Sequence, residues 1–499
     1  MNGWSYIQVI LPLKLEWEPW YSTTESLAVG SRVAVRFSGR EYVAVVSSVC
    51  DVPGIDPAKV QPVLGVPDRL ESILPSELEF WRFIASYYMC TVGEVYKFAY
   101  PAARTAVEGK RANVTRIDDT EAGPRRLTED GKAAVRSILD AFDERKPVLL
   151  TGLKRESVYA ELARRTIESG RDALILRSTA PKLSYAVSRE RAKAVRSDIP
   201  HLLEGGRADL FLPFTKLGLI IVDEEHDASY KHSSGAPRFQ TRDAAVALAG
   251  LCGANVLLAS ATPSLESLCN ARTGKYSSVS LPCEGGVEAH VIGVADEYGK
   301  NGMSGCLSKK LLSRMEAVEG RKLIICPWEP DPFPKLKGTR VIRLRQLGSE
   351  TLGRYALVAL LNAEALLGKD DFRADERAFQ LLRRLSLECT GELVIQTRES
   401  SHPLFATGGD AFVGLLLGER KEFSFPPYSR MIDIRLKDSN AARLEKMKAL
   451  LASALGGSLQ LFLPKDRNLA ASKDAILSRV RAFERERKYF GHIIIDVDP

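Results

Sequence analysis

Between residues 147 and 259, four short and unbroken apolar runs alternate with amphipathic stretches. The runs are Pro147–Leu150, Ala173–Leu176, Leu217–Val222 and Asn255–Ala259; the stretches between them include Ser157–Ser169 and Thr241–Leu251. A strand that is apolar on both faces needs cover on both, and helices between successive strands supply it. The pattern therefore predicts a parallel sheet coated by helices on either side. A second set of runs, Arg321–Cys326, Thr339–Arg343, Tyr355–Leu361 and Glu392–Gln396, predicts another α/β lobe.

The two ends of the chain read differently. Val33–Phe37 and Tyr42–Ser47 alternate in the β manner around Ser38-Gly39-Arg40, a tight-turn signal, and with Ile7–Leu13 they predict a small β-rich unit. Pro53–Pro67 is a Pro/Gly-punctuated connector. Pro75-Ser76-Glu77 then opens a helix whose apolar face is Leu78, Phe80, Trp81, Ile84 and Tyr88. Thr91-Val92-Gly93-Glu94 opens a second, through Phe98, and the pair suits a winged-helix-like unit or any small helical bundle. Toward the end, a strand at Arg430–Leu436, a helix at Ala441–Leu455 and a strand at His492–Val497 predict an α+β domain.

With 499 residues the chain has room for three or four domains. Hydrophobic content of 45% and charged content of 27% exclude a disordered or fibrous chain. A net charge of +7 permits a polyanionic partner without demanding one. No apolar run approaches the ~18 residues of a membrane span, and Met1–Leu11 lacks the pattern of a secretory signal, so a cytosolic protein without a membrane partner is expected. Cys50, Cys90, Cys252, Cys269, Cys283, Cys306, Cys326 and Cys389 form no close pair of the kind that starts a zinc knuckle, so no zinc is expected.

The most specific stretch is Leu219-Ile220-Ile221-Val222-Asp223-Glu224-Glu225-His226, an apolar strand ending in acids. At such a strand tip, Asp223 is placed to face a Mg²⁺ water shell and Glu224 to orient an attacking water. A strand ending in a solvated acidic turn is the plainer alternative. Ser260-Ala261-Thr262-Pro263 follows about thirty residues later, and the two together are far more specific than either alone.

From here the chain resembles the primosomal replication-restart helicase family, primosomal protein N′ (PriA). The resemblance is carried by Asp223–Lys231, Pro237-Arg238-Phe239 and Arg242–Ala245, then by Ser260–Glu266 with Gly274-Lys275-Tyr276. It continues through Leu357–Leu361, Asp371-Phe372-Arg373, Glu376-Arg377, Gly391–Thr397, Glu419-Arg420-Lys421, Phe425–Tyr428 and Asp496–Pro499. It implies a β-rich N-terminal DNA-binding domain at 1–66, a winged-helix-like unit at 67–105, two RecA-like helicase lobes at 125–285 and 305–424, and a C-terminal α+β domain at 425–499. It also implies a cytoplasmic, nucleoid-associated protein that binds branched or single-stranded DNA. Primosome proteins, a loader of the replicative helicase and single-strand DNA-binding protein are the implied protein partners. Tyr230, Lys231, Arg238, Phe239 and Arg242 match the family's aromatic-rich DNA-sensing loop, where basic and aromatic side chains suit phosphates and bases; a solvated basic loop is the alternative. Tyr21, beside Trp17 and Trp20, matches the family's terminal-base pocket, although the acidic residue of that pocket is missing.

The motor motifs depart from the family. A phosphate loop reads G-x-x-x-x-G-K-[ST], and the matching place here is Thr151-Gly152-Leu153-Lys154-Arg155-Glu156-Ser157. One reading keeps Gly152, Lys154, Arg155 and Ser157 as ligands of ATP and Mg²⁺; the other is an ordinary strand–turn–helix with a basic turn. In the second lobe, Gln380–Leu387 stands where the family has Q-x-x-G-R-A-G-R, Gly348–Thr351 is a shortened relic, and only Cys326-Pro327-Trp328 remains near the zinc insertion. These departures lead to two expectations: a fork-binding protein with an impaired motor, or an active ATP-dependent 3′-5′ helicase.

Overall fold

A computed structural model of the chain describes residues 5–67, 70–101, 127–181, 183–282, 286–300, 302–327, 336–349, 351–368, 371–407 and 409–499. Cys283, Trp328 and Glu350 lie outside these residues, as do the edges of the 67–105 and 125–285 segments.

The N-terminal unit is a five-stranded sheet in the order Arg32–Phe37, Arg40–Cys50, Ser5–Ile10, Trp20–Thr23, Gln61–Pro62. Its pairs are antiparallel except the last. Ile7, Val9, Val33, Val35, Ala44 and Val46 bury one face, as the two-residue alternation requires. Helices Pro75–Tyr87 and Val92–Ala99 follow. The second is started by a reciprocal cap: Thr91 Oγ1 accepts from the Glu94 amide at 3.3 Å and Glu94 Oε2 accepts from the Thr91 amide at 2.9 Å.

The first lobe is a fully parallel six-stranded sheet, ordered Ser277–Ser280, Val148–Thr151, Asn255–Ser260, Leu217–Asp223, Asp172–Leu176, Leu202–Gly205. The four apolar runs form its centre. The added edges are short and partly polar, which is why they carry no apolar signature. The second lobe is a parallel five-stranded sheet, ordered Ala289–Gly293, Glu392–Thr397, Leu357–Leu360, Lys322–Cys326, Thr339–Arg343. Its edge strand Ala289–Gly293 lies ahead of residue 305, where the sequence pattern begins that lobe. The chain closes in an antiparallel sheet, Gln460–Pro464, Ser429–Leu436, Ile493–Val497, packed on helices Ala441–Ala454 and Leu469–Arg487. The observed fold is thus α/β with a β-rich N-terminal unit, a helical pair and an α+β end, and it carries the two parallel lobes expected from the runs.

The lobes meet beside their sheets. Leu265 packs with Ala378, Phe412, Val413, Leu416 and Leu417. Glu376 accepts from the Leu265 amide at 2.9 Å, and Arg373 pairs with Glu266 at 2.7 Å. The N-terminal unit docks on the last long helix through Lys14–Glu484 at 3.0 Å and Glu16–Arg481 at 3.0 Å.

Gly93 shows how tightly the units are joined. A Cβ there would lie 2.2 Å from both the Leu11 and Leu13 carbonyl oxygens, which are backbone and have no rotamer to change. Gly93→Ala should therefore destabilise the chain by about 1–3 kcal/mol, as overpacking does, and expose the amides of residues 11–15 to hydrogen exchange. Gly250→Ala is the control. It sits in helix Thr241–Cys252 with nothing within 4 Å of its Cβ position, so it should stabilise the chain by up to ~1 kcal/mol of helix propensity, read as a higher thermal midpoint.

Candidate functional site

In parallel sheets, ligands are met at the carboxyl ends of the strands. The pairing register of the first lobe sets Ala259 beside Asp223 and Ser260 beside Thr151, so the Gly152 turn, the Asp223–Glu224 tip and the Ser260 tip meet at one edge. Asp223 closes its buried strand, and Glu224 turns the chain with φ +50°. A non-glycine residue in this left-handed region costs about 1–2 kcal/mol, which the surroundings must offset.

What offsets it is a knot of opposite charges. Arg155 is buried and all its donors are directed inward. Its Nε donates to Tyr159 Oη at 2.8 Å, Nη1 to the Gly152 carbonyl at 2.6 Å, and Nη2 to Asp223 Oδ1 at 3.0 Å and to Glu224 Oε1. Tyr159 adds a hydrogen bond to Asp223 Oδ1 at 2.7 Å. Arg177, just past the end of strand Asp172–Leu176, reaches Asp223 Oδ2 at 2.7 Å and holds both oxygens of Glu156 at 2.7 Å. On the other side, Ser260 Oγ donates to Glu224 Oε2 at 3.2 Å and lies 2.8 Å from His226 Nδ1.

Each expected ligand of a nucleotide can now be placed. Gly152 has φ +102°, and a Cβ on it would lie 2.4 Å from the Leu281 carbonyl oxygen, so its turn is pressed against the edge of the sheet. Lys154 is exposed, with φ +57°; its backbone takes a glycine-like conformation. Ser157 is half-buried in the first turn of helix Glu156–Glu168. Arg155, Asp223 and Glu224 are brought together, but they face one another. A Mg²⁺ ion requires carboxylate oxygens at about 2.0–2.1 Å, and here both oxygens of Asp223 and both of Glu224 already accept hydrogen bonds from the protein. A divalent ion at that point would also sit beside two guanidiniums, a repulsion of several kcal/mol. The residues present do not fit ATP with Mg²⁺. Among the described residues, no group of three or more His, Cys, Asp or Glu is set to hold a metal.

The loop expected to face DNA is turned inward. Tyr230 is 1% exposed and its hydroxyl donates to the Leu176 and Asp223 carbonyls, each at 2.8 Å. Phe239 is fully buried in an aromatic cluster with Phe98 and Phe211. Lys231 pairs with Asp496 at 2.8 Å and donates to the Val497 carbonyl at 2.6 Å; Arg238 lies 3.5 Å from the same carboxylate. Arg242 is buried against Ser264 at 2.6 Å and Glu225 at 3.4 Å. Phe239, Lys231 and Arg238 join the first lobe to other units, Tyr230 and Arg242 bond within it, and none of the five is exposed. Tyr21 is likewise buried, with its hydroxyl on the Arg36 carbonyl at 2.9 Å. Among the described residues of that unit, Trp17 is the most exposed aromatic, 58% exposed and 6.0 Å from the Phe37 ring. It borders a cavity of about 160 Å³ between the N-terminal unit, Cys90–Gly93 and Arg481.

Residues 8–101 match the family described as the 3′DNA-binding domain (3′BD) of PriA. The chain resembles the PriA replication restart proteins. It is 29% identical to that of Rickettsia felis over 301 residues, covering 55% of this chain and 45% of the relative. It is 55% identical to that of Chlamydia pneumoniae over 75 residues, covering 15% of this chain and 10% of the relative. A solved structure of RecG bound to a three-way DNA junction aligns at 14% identity with a TM-score of 0.31, covering 59% of this chain and 47% of that one. The chain spans about half the length of the PriA relatives it matches.

Arg177 and Tyr159 are the site residues that sequence motifs do not mark. Their only signal is position, one just past a strand end and the other one helical turn beyond Arg155.

The charges have a pH consequence. Burial alone would raise the Asp223 carboxyl, but Arg155, Tyr159 and Arg177 outweigh it and hold the group below the usual carboxylate value. Glu266 at the lobe junction is also lowered: burial opposes, while Arg373, Arg242 and Arg420 prevail. A carboxylate lowered on folding adds stability that is complete above its unfolded value, about 3.9–4.3, and is lost as pH falls through the folded one. Acid denaturation followed by circular dichroism should therefore begin below about pH 4.3. Asp223→Asn should destabilise the chain at pH 7 by an amount approaching ~3–5 kcal/mol, the cost of breaking a buried pair, and flatten that acid limb.

Proposed function

We propose that the chain is a DNA-attachment protein of replication restart, binding branched DNA that carries a 3′ end, with a motor that does not hydrolyse ATP. The observation that carries the first half is the N-terminal unit: residues 8–101 match the 3′DNA-binding domain, the strands over that span bury a core of their own, and the two helices pack into the core shared with the first lobe and the C-terminal sheet. The second half is supported by Arg155 and Arg177, which take up the carboxylates that a helicase needs free for metal and water. Primosome proteins and a helicase loader are the partners this reading implies.

Fluorescence anisotropy with a labelled fork carrying a 3′ leading-strand end should show binding by the full chain. Its affinity should fall as salt rises, because phosphate contacts release counterions. Blocking the 3′ hydroxyl should weaken binding, and the same fork should stimulate no ATP turnover. Fork-stimulated turnover that Asp223→Ala abolishes would establish the active 3′-5′ helicase instead. A salt slope near zero would leave a scaffold without DNA affinity.

A further inference from the structure

The misfit between the first lobe and a metal-nucleotide pair has a positive side. A helicase lobe ordinarily leaves its strand-tip carboxylates for a divalent cation and closes its phosphate loop around bound phosphates. Here the same two jobs are done from within the chain. The Arg155 guanidinium donates to Asp223 and Glu224 on one side and to the Gly152 carbonyl on the other, while Tyr159 fixes its Nε. Arg177 neutralises the remaining oxygen of Asp223 and ties it to Glu156 at the start of the helix. Three strand ends and one helix start are thus joined with no external ligand. The link continues through Ser260 to His226 and to the Thr262 amide, which donates to Ser260 Oγ at 2.8 Å.

We propose that Arg155 is a built-in cation: a positioning residue whose charge substitutes for the divalent metal and whose second arm pins the Gly152 turn, so that the Asp223–Glu224 tip, that turn and the Ser260–Thr262 segment stay in one fixed arrangement without nucleotide. This rests on the reading of the lobe as non-hydrolysing. The planar fork is essential, because lysine offers one compact charge and cannot serve the carbonyl and both carboxylates together.

A hidden metal site follows. Removing the guanidinium leaves two carboxylates side by side, with Arg177 covering one oxygen of Asp223, and an uncompensated pair of this kind attracts a divalent cation. In electron paramagnetic resonance titrations of the full chain with Mn²⁺ alone, wild type should leave the free-ion signal unchanged. Arg155→Ala should gain affinity by about tenfold or more, and Arg155→Ala/Asp223→Ala should lose the gain. Arg155→Ala should also lower the thermal midpoint by several degrees, and Mn²⁺ should raise it again by mass action while leaving wild type unmoved. Should the alanine variant not fold, Arg155→Lys tests the same role, with a midpoint below wild type and no Mn²⁺ uptake expected. Tight Mn²⁺ binding by wild type, or an Arg155→Lys midpoint equal to wild type, overturns the proposal. ATP turnover by the wild-type chain, measured on the same samples with fork DNA, should be absent; fork-stimulated turnover without Mn²⁺ retention in the metal titration would instead overturn the non-hydrolysing reading, so the two failures are separable.

Discussion

Two guanidiniums meeting three carboxylates, Asp223 and Glu224 at a strand tip and Glu156 at a helix start, set the character of the first lobe. Arg155 and Asp223 lie largely out of solvent, where neither sign is tolerated by itself, and the charges of the cluster satisfy each other through hydrogen bonds at 2.7–3.0 Å. Once such a cluster exists, the geometry of the turn follows. Gly152 must curl so that its carbonyl meets Arg155, and Glu224 must adopt a left-handed backbone to return its carboxylate to the same guanidinium. The charges therefore dictate local conformation, where in a phosphate-binding loop the glycines would do so.

The same principle recurs at the junction of the lobes. Glu266 is surrounded by Arg373, Arg242 and Arg420, and Glu376 ties Arg420 at 2.5 Å to the start of the helix that carries Leu265. Apolar packing between Leu265, Phe412 and Leu416 lies next to these pairs. Contact between the lobes is thus maintained at their flank by a buried network, with a layer of apolar side chains excluding water from it.

Much of this architecture was legible from residue order. Strands apolar on both faces announce themselves, so the centres of both parallel sheets were readable, whereas Leu202–Gly205, Ser277–Ser280 and Gln460–Pro464 sit at edges and carry polar residues or glycine. At the site, Asp223 and Glu224 were visible because acids interrupt an apolar run. Arg177 was not, because its partner is chosen by the meeting of strand ends that lie 46 positions apart. The loop from Ser229 to Arg242 illustrates the converse limit. Its composition fits a solvated basic surface as well as an interior joint, and what distinguishes them is Asp496, far away in the chain.

That distant partner has a bearing on how the protein assembles. Lys231 meets the Val497 carbonyl across 266 positions and pairs with Asp496 beside it, so Lys231 and Arg238 lack this partner while the intervening chain is still being made. The N-terminal sheet pairs nearest neighbours in sequence for most of its length and closes early, at little cost in loop entropy. The first lobe, by contrast, reaches its finished electrostatic state only when the strand Ile493–Val497 arrives, which makes the last sheet the keystone of a structure begun hundreds of residues before.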